Sequence, residues 1–214
     1  MVDTTHPLLV WEVPYYPTYY LPADDVLAEL VPTGEVDHSP SRGDAQRADV
    51  RVGDVTAPGA ASVVPSSPIP ELAGHVRIDW AAMDAWFEED EEVYTHVRSP
   101  HARIDILPSS RHVRVTVGDL VVAESDRAHA LFETGLSTRW YLPKLDVRMD
   151  LLVESPTVTH CPYKGQASHY SLRAGSIEVD DAAWTYPTPL PESLRVAGLV
   201  SFYPDRVTVE ADGE

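Results

Sequence analysis

The residues with the clearest chemical potential lie in one short stretch, residues 159–165. The stretch contains the only cysteine of the chain, Cys161, between His160 and a proline, and Lys164 follows three positions later. A cysteine becomes a nucleophile when a nearby cation, a histidine or a helix terminus stabilises its thiolate. If the segment after Cys161 is a turn, the Lys164 ammonium group can come back over the sulfur. The pattern is consistent with a nucleophilic thiol, a ligand contact without covalent chemistry, or a buried core cysteine.

Two carboxylates and a set of aromatic residues extend this candidate site. Glu124 is the better candidate for a catalytic acid or base, whereas we expect Glu133 to have a structural role. Lys164 either contacts an anion or a carbonyl group, or is an exposed lysine that covers the turn. Aromatic residues dominate small β cores, yet several tyrosines beside an arginine can also line a partly polar pocket. The predicted substrate-binding residues are Arg139, Tyr141, Tyr163, Tyr170 and Trp184.

Short apolar runs separated by prolines predict the elements that position these residues. The chain has 19 prolines, and they fall between runs rich in Val, Leu, Ile, Tyr and Trp, which is typical of an all-β protein. Residues 111–117 alternate polar residues with valine, and Gly118-Asp119 suits the tight turn of a hairpin with residues 120–124. Short helices are expected at residues 24–30 and 146–152, where an Asp near each start can cap free N–H groups.

The two halves of the chain repeat one pattern. Trp11-Glu12 and Tyr20-Leu21-Pro22 match Phe132-Glu133 and Tyr141-Leu142-Pro143 at a constant offset, and residues 38–43 match residues 160–165. Matches in this order indicate an internal duplication. We therefore predict two domains, a degenerate first copy with a connecting segment at residues 8–106 and a complete second copy at residues 107–214. The first copy has Thr18, Ser39 and Ser41 where the second has Arg139, Cys161 and Tyr163, so we expect the site in the second copy.

Charge and composition exclude several classes of function. The net charge of −18 disfavours binding to nucleic acid or to an anionic membrane surface. The sequence has no apolar run near the ~20 residues of a membrane span, and its first residues lack the pattern of a signal peptide. A single cysteine fits a cytoplasmic protein. No metal-ligand spacing, phosphate-binding loop or dinucleotide motif is present, so we expect no metal and no cofactor. The expected state is a monomer or a homodimer.

Several longer motifs in the second half resemble one protein family. They are Val122-Ala123-Glu124-Ser125, Arg139-Trp140-Tyr141-Leu142-Pro143, residues 159–165 and Ala183-Trp184-Thr185-Tyr186-Pro187. They resemble the bacterial and fungal family known as domain of unknown function 427, and the first half looks like a worn copy, as in members that carry the domain twice. The resemblance implies small antiparallel sheets arranged as a β-tent.

The resemblance brings no established activity. Some relatives carry a nucleotidyltransferase label, but the carboxylate cluster that would hold Mg²⁺ is not evident here. Other β-tent proteins bind zinc through two paired-cysteine knuckles, which one cysteine cannot form. Three functions remain: an enzyme acting on a small organic metabolite through Cys161, Glu124 or Lys164; a protein that binds a small molecule without chemistry; and a structural module. The enzyme is the slightly favoured interpretation.

Overall fold

The computed structural model describes residues 1–212 of the chain and is mainly β, as the sequence predicts. Its strands are β1 (Leu8–Val10), β2 (Thr18–Pro22), β3 (Glu29–Ser39), β4 (Gly43–Val52), β5 (Val55–Val64), β6 (His75–Ile78), β7 (Phe87–Glu88), β8 (Glu91–Glu92), β9 (Ile104–Pro108), β10 (Val113–Val117), β11 (Leu120–Ser125), β12 (His129–Glu133), β13 (Arg139–Leu142), β14 (Leu152–Cys161), β15 (Gly165–Ala174), β16 (Ile177–Thr185), β17 (Val200–Phe202) and β18 (Thr208–Ala211).

The helical content consists of short 3-10 segments. They are Ala23–Asp25, Pro70–Leu72, Trp80–Ala82, Lys144–Asp146, Met149–Leu151 and Pro191–Val196. The helices expected at residues 24–30 and 146–152 are wrong in length and in capping. The chain enters β3 at Glu29 and β14 at Leu152, and the turns that precede these strands have no side-chain cap. Within residues 1–212, no helix is long and apolar enough to cross a membrane.

The chain divides into two compact units, Met1–Ser99 and Pro100–Glu214. The first contains a six-stranded sheet in the order β1-β2-β6-β5-β4-β3, together with the β7–β8 hairpin. The second contains a seven-stranded sheet that, read from one edge, runs β9-β12-β13-β17-β16-β15-β14. From β12 onward, the second order reproduces the first strand for strand. The duplication seen in the sequence is therefore also a duplication of the sheet.

Neighbouring side chains along each strand point to opposite faces of these sheets. In the second unit, Leu142 belongs to one apolar cluster, whereas the adjacent Tyr141 belongs to another. In the first unit, Leu21 and Tyr20 divide between two clusters in the same way. Each sheet therefore has a face that carries Tyr20 or Tyr141, which we call the tyrosine face, and an opposite face that we call the leucine face.

A further small sheet covers the leucine face of the second unit. It has the order β11-β10-β18, and β10 and β11 form the hairpin predicted over residues 111–124. Val113, Val115 and Val122 of this hairpin are fully buried against the large sheet. Packing of one apolar sheet face on another gives this unit its main core.

The β3–β4 turn and the β14–β15 turn both end in a glycine that needs its conformational freedom. Gly43 has φ +87 and Gly165 has φ +90, a region that L-residues with a side chain seldom adopt. A Cβ atom on Gly43 would lie 2.9 Å from Cδ of Pro68. The shared glycine therefore preserves the same turn in both units, and Gly43 also permits a close chain contact.

We expect Gly43→Ala to destabilise the first unit more than Gly34→Ala does. Both glycines have φ +87, but a Cβ on Gly34 would have no atom within 4 Å. The backbone cost, ~1–2 kcal/mol, is common to both variants, so the difference isolates the contact with Pro68. Urea unfolding followed by tryptophan fluorescence measures it. Equal losses of stability would show that the Pro68 contact relaxes without cost.

Candidate functional site

A nearly buried ion pair stands at the end of the β14–β15 hairpin. Nζ of Lys164 lies 2.6 Å from Oε2 of Glu133, and the two side chains are only 9% and 12% exposed. Lys164 comes from the turn and Glu133 from the end of β12, so the pair ties the hairpin turn to a distant strand. The sequence predicts a turn that presents Lys164, and in this turn the ammonium group is held by Glu133.

Aromatic rings fill the tyrosine face beside this ion pair. Nε1 of Trp184 donates a hydrogen bond to Oη of Tyr141 at 3.1 Å, and the two rings meet edge to face. Tyr203 packs on Trp184 at a centroid distance of 4.3 Å. Tyr141, Trp184 and Tyr186 are all buried. The aromatic side chains therefore fill most of the space that was predicted to be a pocket in this unit.

Burial determines the titration of the two inner phenols. It raises the pKa of Tyr141 well above its usual value; the hydrogen bond from Trp184 lowers this pKa, and the Glu133 carboxylate raises it. The pKa of Tyr186 is raised in the same direction, again chiefly by burial. Both phenols therefore stay neutral near pH 7 and can serve as hydrogen-bond groups.

Cys161 is half-buried at the end of β14 and packs against this aromatic cluster. Its carbonyl oxygen accepts a 3.3 Å hydrogen bond from the backbone N–H of Lys164. Ser201 lies on the same face, because it pairs with both Tyr141 and Trp184 across the sheet. Among residues 1–212, the buried Oγ of Ser201 has no hydrogen-bond partner. A half-buried thiol and an unsatisfied hydroxyl thus belong to the same face.

The structure does not bring every predicted site residue to this face. Glu124 lies on β11 and pairs with His112, whose Nε2 is 3.0 Å from its carboxylate. Tyr170 packs against the main core on the leucine face, because it is one residue from His169 and alternation turns it away. Arg139 and Tyr163 are half-buried. Arg139 is close enough to lower the pKa of Tyr141, and the carbonyl of Tyr163 accepts a hydrogen bond from Ser193 Oγ.

Three further residues belong to this face, and two of them, Ser201 and Tyr203, were missed by the sequence analysis. His169 is 2% exposed and its Nε2 lies 3.1 Å from the hydroxyl of Tyr203. Ser201 and Tyr203 lie two positions apart at β17 and just beyond it. The period of two along this strand, counted from a predicted site residue on the neighbouring strand, is the signal that could have found them.

The equivalent face of the first unit holds a cavity of about 250 Å³. The paired strands show which residues correspond: Arg47 faces Ser62 in the first unit as His169 faces Trp184 in the second. The small side chain of Ser62 therefore stands where Trp184 fills the second unit. The cavity is lined by Glu12, Tyr20, Asp37, His38, Ser39, Arg42, Gly43, Asp44, Ala45, Ser62, Val64 and Arg77.

Glu12 organises the inner end of this cavity. Its Oε1 accepts a 2.6 Å hydrogen bond from the Tyr20 hydroxyl, and its Oε2 lies 3.2 Å from Nε of Arg77. Burial and this contact with Glu12 raise the pKa of Tyr20 to about 12. Arg42 is held less closely, because its Nη2 is 3.9 Å from the Glu12 carboxylate. Arg42 thus has donors to spare at the wall of the cavity.

Ser62 and Asp37 form another wall of the cavity, and Arg47, which is not part of the lining, bonds to Ser62. Nη1 of Arg47 donates to Ser62 Oγ at 3.1 Å, and Ser62 donates in turn to Asp37 at 3.0 Å. Arg77 also bonds Asp79, which stands in the position of Tyr203. The cavity is therefore lined by groups that form a connected network of donors and acceptors. The described residues contain no group of three or more His, Cys, Asp or Glu side chains suited to a metal ion.

Comparison with protein families gives a match that covers almost the whole chain. The model of a family described as "Domain of unknown function (DUF427)" matches residues 1–89 and again residues 105–213. The two matched stretches correspond to the two repeated sheets. No protein with a curated description matches the chain.

We expect Lys164→Met to destabilise the second unit by ~3–5 kcal/mol, because it leaves the Glu133 carboxylate nearly buried without its partner. The double variant Lys164→Met with Glu133→Leu should regain most of that loss. The control is Arg148→Met, which breaks the exposed pair with Asp150 and should cost less than ~1 kcal/mol. Urea unfolding measures the free energy of unfolding of each variant and of the wild type. Glu133→Leu alone completes the cycle, and a loss in the double variant equal to the sum of the losses in Lys164→Met and Glu133→Leu would contradict a coupled buried pair.

Proposed function

We propose that this protein binds a small polar organic molecule on the tyrosine face of the first unit. The premise is that the chain belongs to the DUF427 family and carries its domain twice. The observation that supports this is the cavity of about 250 Å³ where the second unit has packed aromatic rings. Ligand sites in proteins usually measure ~300–1,000 Å³. A cavity just below that range suits a metabolite of few atoms.

The charges of the lining favour a ligand without large net charge. Arg42 and Arg77 face the carboxylates of Glu12, Asp37 and Asp44. Most of these groups already pair with one another, so an added anion or cation would meet charges of both signs. A molecule rich in hydroxyl groups can instead accept from Arg42 and donate to a carboxylate at the same time. We therefore expect a polyol or a small sugar.

The packing of the second unit is why binding is favoured over catalysis. Of the three predicted catalytic residues, Glu124 lies on another sheet, and the charge of Lys164 is balanced by Glu133. A nucleophilic Cys161 would therefore have to act without the partners that the sequence suggests. The open cavity, in contrast, already has an inner end built from a carboxylate, a phenol and two arginines.

One observation favours an enzyme in the second unit as a second candidate. Ser201 has a buried hydroxyl with no partner among the described residues, on the face where Cys161 packs. An unsatisfied buried hydroxyl costs ~1–3 kcal/mol, and a substrate atom there would remove that cost. Under this proposal, Cys161 is the nucleophile, and Tyr141 and Trp184 hold a small organic substrate with Arg139 at the edge.

The binding proposal predicts that Ser62→Trp abolishes binding, because the new indole ring would fill the cavity as Trp184 fills the equivalent space in the second unit. Saturation-transfer NMR with a mixture of glycerol, inositol, ribose and glucose measures binding to the wild type. Thr56→Trp is the matched control, since Thr56 is exposed and does not line the cavity. Arg42→Gln, at a half-exposed side chain, should weaken binding roughly tenfold, as loss of one charged hydrogen bond requires.

The Arg42→Gln result keeps the test valid if Ser62→Trp does not fold. Absence of any signal with the wild type, or equal signals in the wild type and in Arg42→Gln, would contradict the binding proposal.

The enzyme candidate predicts that iodoacetamide modifies Cys161 in the folded protein. Mass spectrometry follows the adduct, and the urea-unfolded chain gives the reference rate. Because Cys161 is the only cysteine, no variant is needed to assign the adduct. A folded rate within about tenfold of the unfolded one is expected for a half-exposed, reactive thiol. Modification only after unfolding would remove Cys161 as a nucleophile.

A further inference from the structure

The leucine face of the first unit is covered in a different way from that of the second. In the second unit, Leu142 and Phe202 pack beneath the β10–β11 hairpin. Their equivalents in the first unit, Leu21 and Ile78, line a groove of about 610 Å³. Val2 bridges Val26 as Ala123 of β11 bridges Val147. One backbone contact of the covering sheet is thus reproduced, and beside it the described face is open.

Aromatic rings form the wall of this groove. Trp86 stacks on Trp80 at a centroid distance of 4.8 Å and lies 6.0 Å from the ring of Tyr19. Nε1 of Trp86 donates to the carbonyl of Trp80 at 3.0 Å, which fixes the orientation of the indole. The ring of Phe87, also part of the lining, is 60% exposed. The groove therefore presents π faces and edges, held in place, to whatever enters it.

The charged side chains of the lining are all acidic. They include Asp3, Glu88, Glu89 and Asp90, and no lysine, arginine or histidine side chain lines the groove among residues 1–212. Glu88 is already engaged, because it accepts from the Tyr19 hydroxyl at 2.6 Å and from Nε of Arg98 at 2.9 Å. Glu89 and Asp90 are exposed. The exposed carboxylates of Glu89 and Asp90 thus lie next to aromatic surface.

We propose that this groove binds a small organic ammonium ion, with its apolar body against Trp86 and its charged nitrogen toward Glu89 and Asp90. The apolar body is stabilised by burial against the aromatic wall, and the carboxylates attract the charged nitrogen. A metal ion would gain nothing from the apolar wall, and an anion would be repelled. Leu21 and Ile78 give a hydrocarbon body an apolar surface at the base of the groove.

This site is independent of the polar cavity proposed above. The two lie on opposite faces of the same sheet, since Tyr20 and Arg77 line the cavity and Tyr19 and Ile78 line the groove. They also differ in chemistry, because the cavity has arginines and the groove has none among its described lining residues. Each proposal can therefore fail without the other.

The test compares a cation with a neutral molecule of almost the same shape. Binding of 2-phenylethylammonium and of 2-phenylethanol to the full chain is measured by ligand-observed NMR titration at low salt. We expect the cation to bind at least tenfold more tightly than the alcohol, and 0.5 M salt to reduce the difference. Ser62→Trp should leave this binding unchanged, which separates it from the polar cavity.

Two double variants distinguish the groove from general attraction to an acidic protein. Glu89→Gln with Asp90→Asn should weaken the cation at least fivefold. Glu35→Gln with Asp54→Asn removes the same charge from exposed positions outside the groove and should change the affinity less than twofold. Equal effects of the two pairs, equal affinity for the alcohol, or no binding of the cation would each overturn the proposal.

Discussion

Alternation of side chains across one antiparallel sheet is the constraint on which both halves of this protein depend. In each unit the strand that contains Tyr20 or Tyr141 sends that phenol to one face and the following leucine to the other. The two faces then meet different surroundings. The leucine face of the second unit is closed by a second sheet, whereas in the first unit it is lined by Trp86 and acidic residues. Every candidate site described above belongs to one of these faces.

Much of this arrangement follows from the sequence. The all-β fold, the duplication and the hairpin of β10 and β11 are all predicted by proline spacing, repeated motifs and the alternation of valines. The two-part match to the family supports the duplication. The lengths of the helices were overestimated. Seven-residue stretches with an Asp near the start suggest two helical turns, but the residues from Glu29 and from Leu152 onward pair as strands β3 and β14. Local propensity is a weak guide where strand pairing decides.

The site was harder to predict, because a list of reactive residues does not give their faces. Glu124 and Tyr170 are of suitable types, yet one lies on another sheet and the other points to the main core. Lys164 was recognised, but its partner Glu133 is 31 positions away in sequence and comes from another strand. The cavity of the first unit was missed for the opposite reason. In the sequence, a small residue such as Ser62 indicates only that the large side chain of the second copy is absent. In the fold, the same small residue leaves space for a cavity.

The contrast between Ser62 and Trp184 has a consequence for how such a protein can evolve. Polar cavities reduce stability, and well-packed aromatic clusters increase it. When the same sheet occurs twice in one chain, selection for solubility and folding can act mainly on one copy while the other accepts costly substitutions. Duplication then allows one copy to maintain stability while the other copy keeps a cavity, within a single polypeptide. A chain with a single copy would have to satisfy both demands at the same positions.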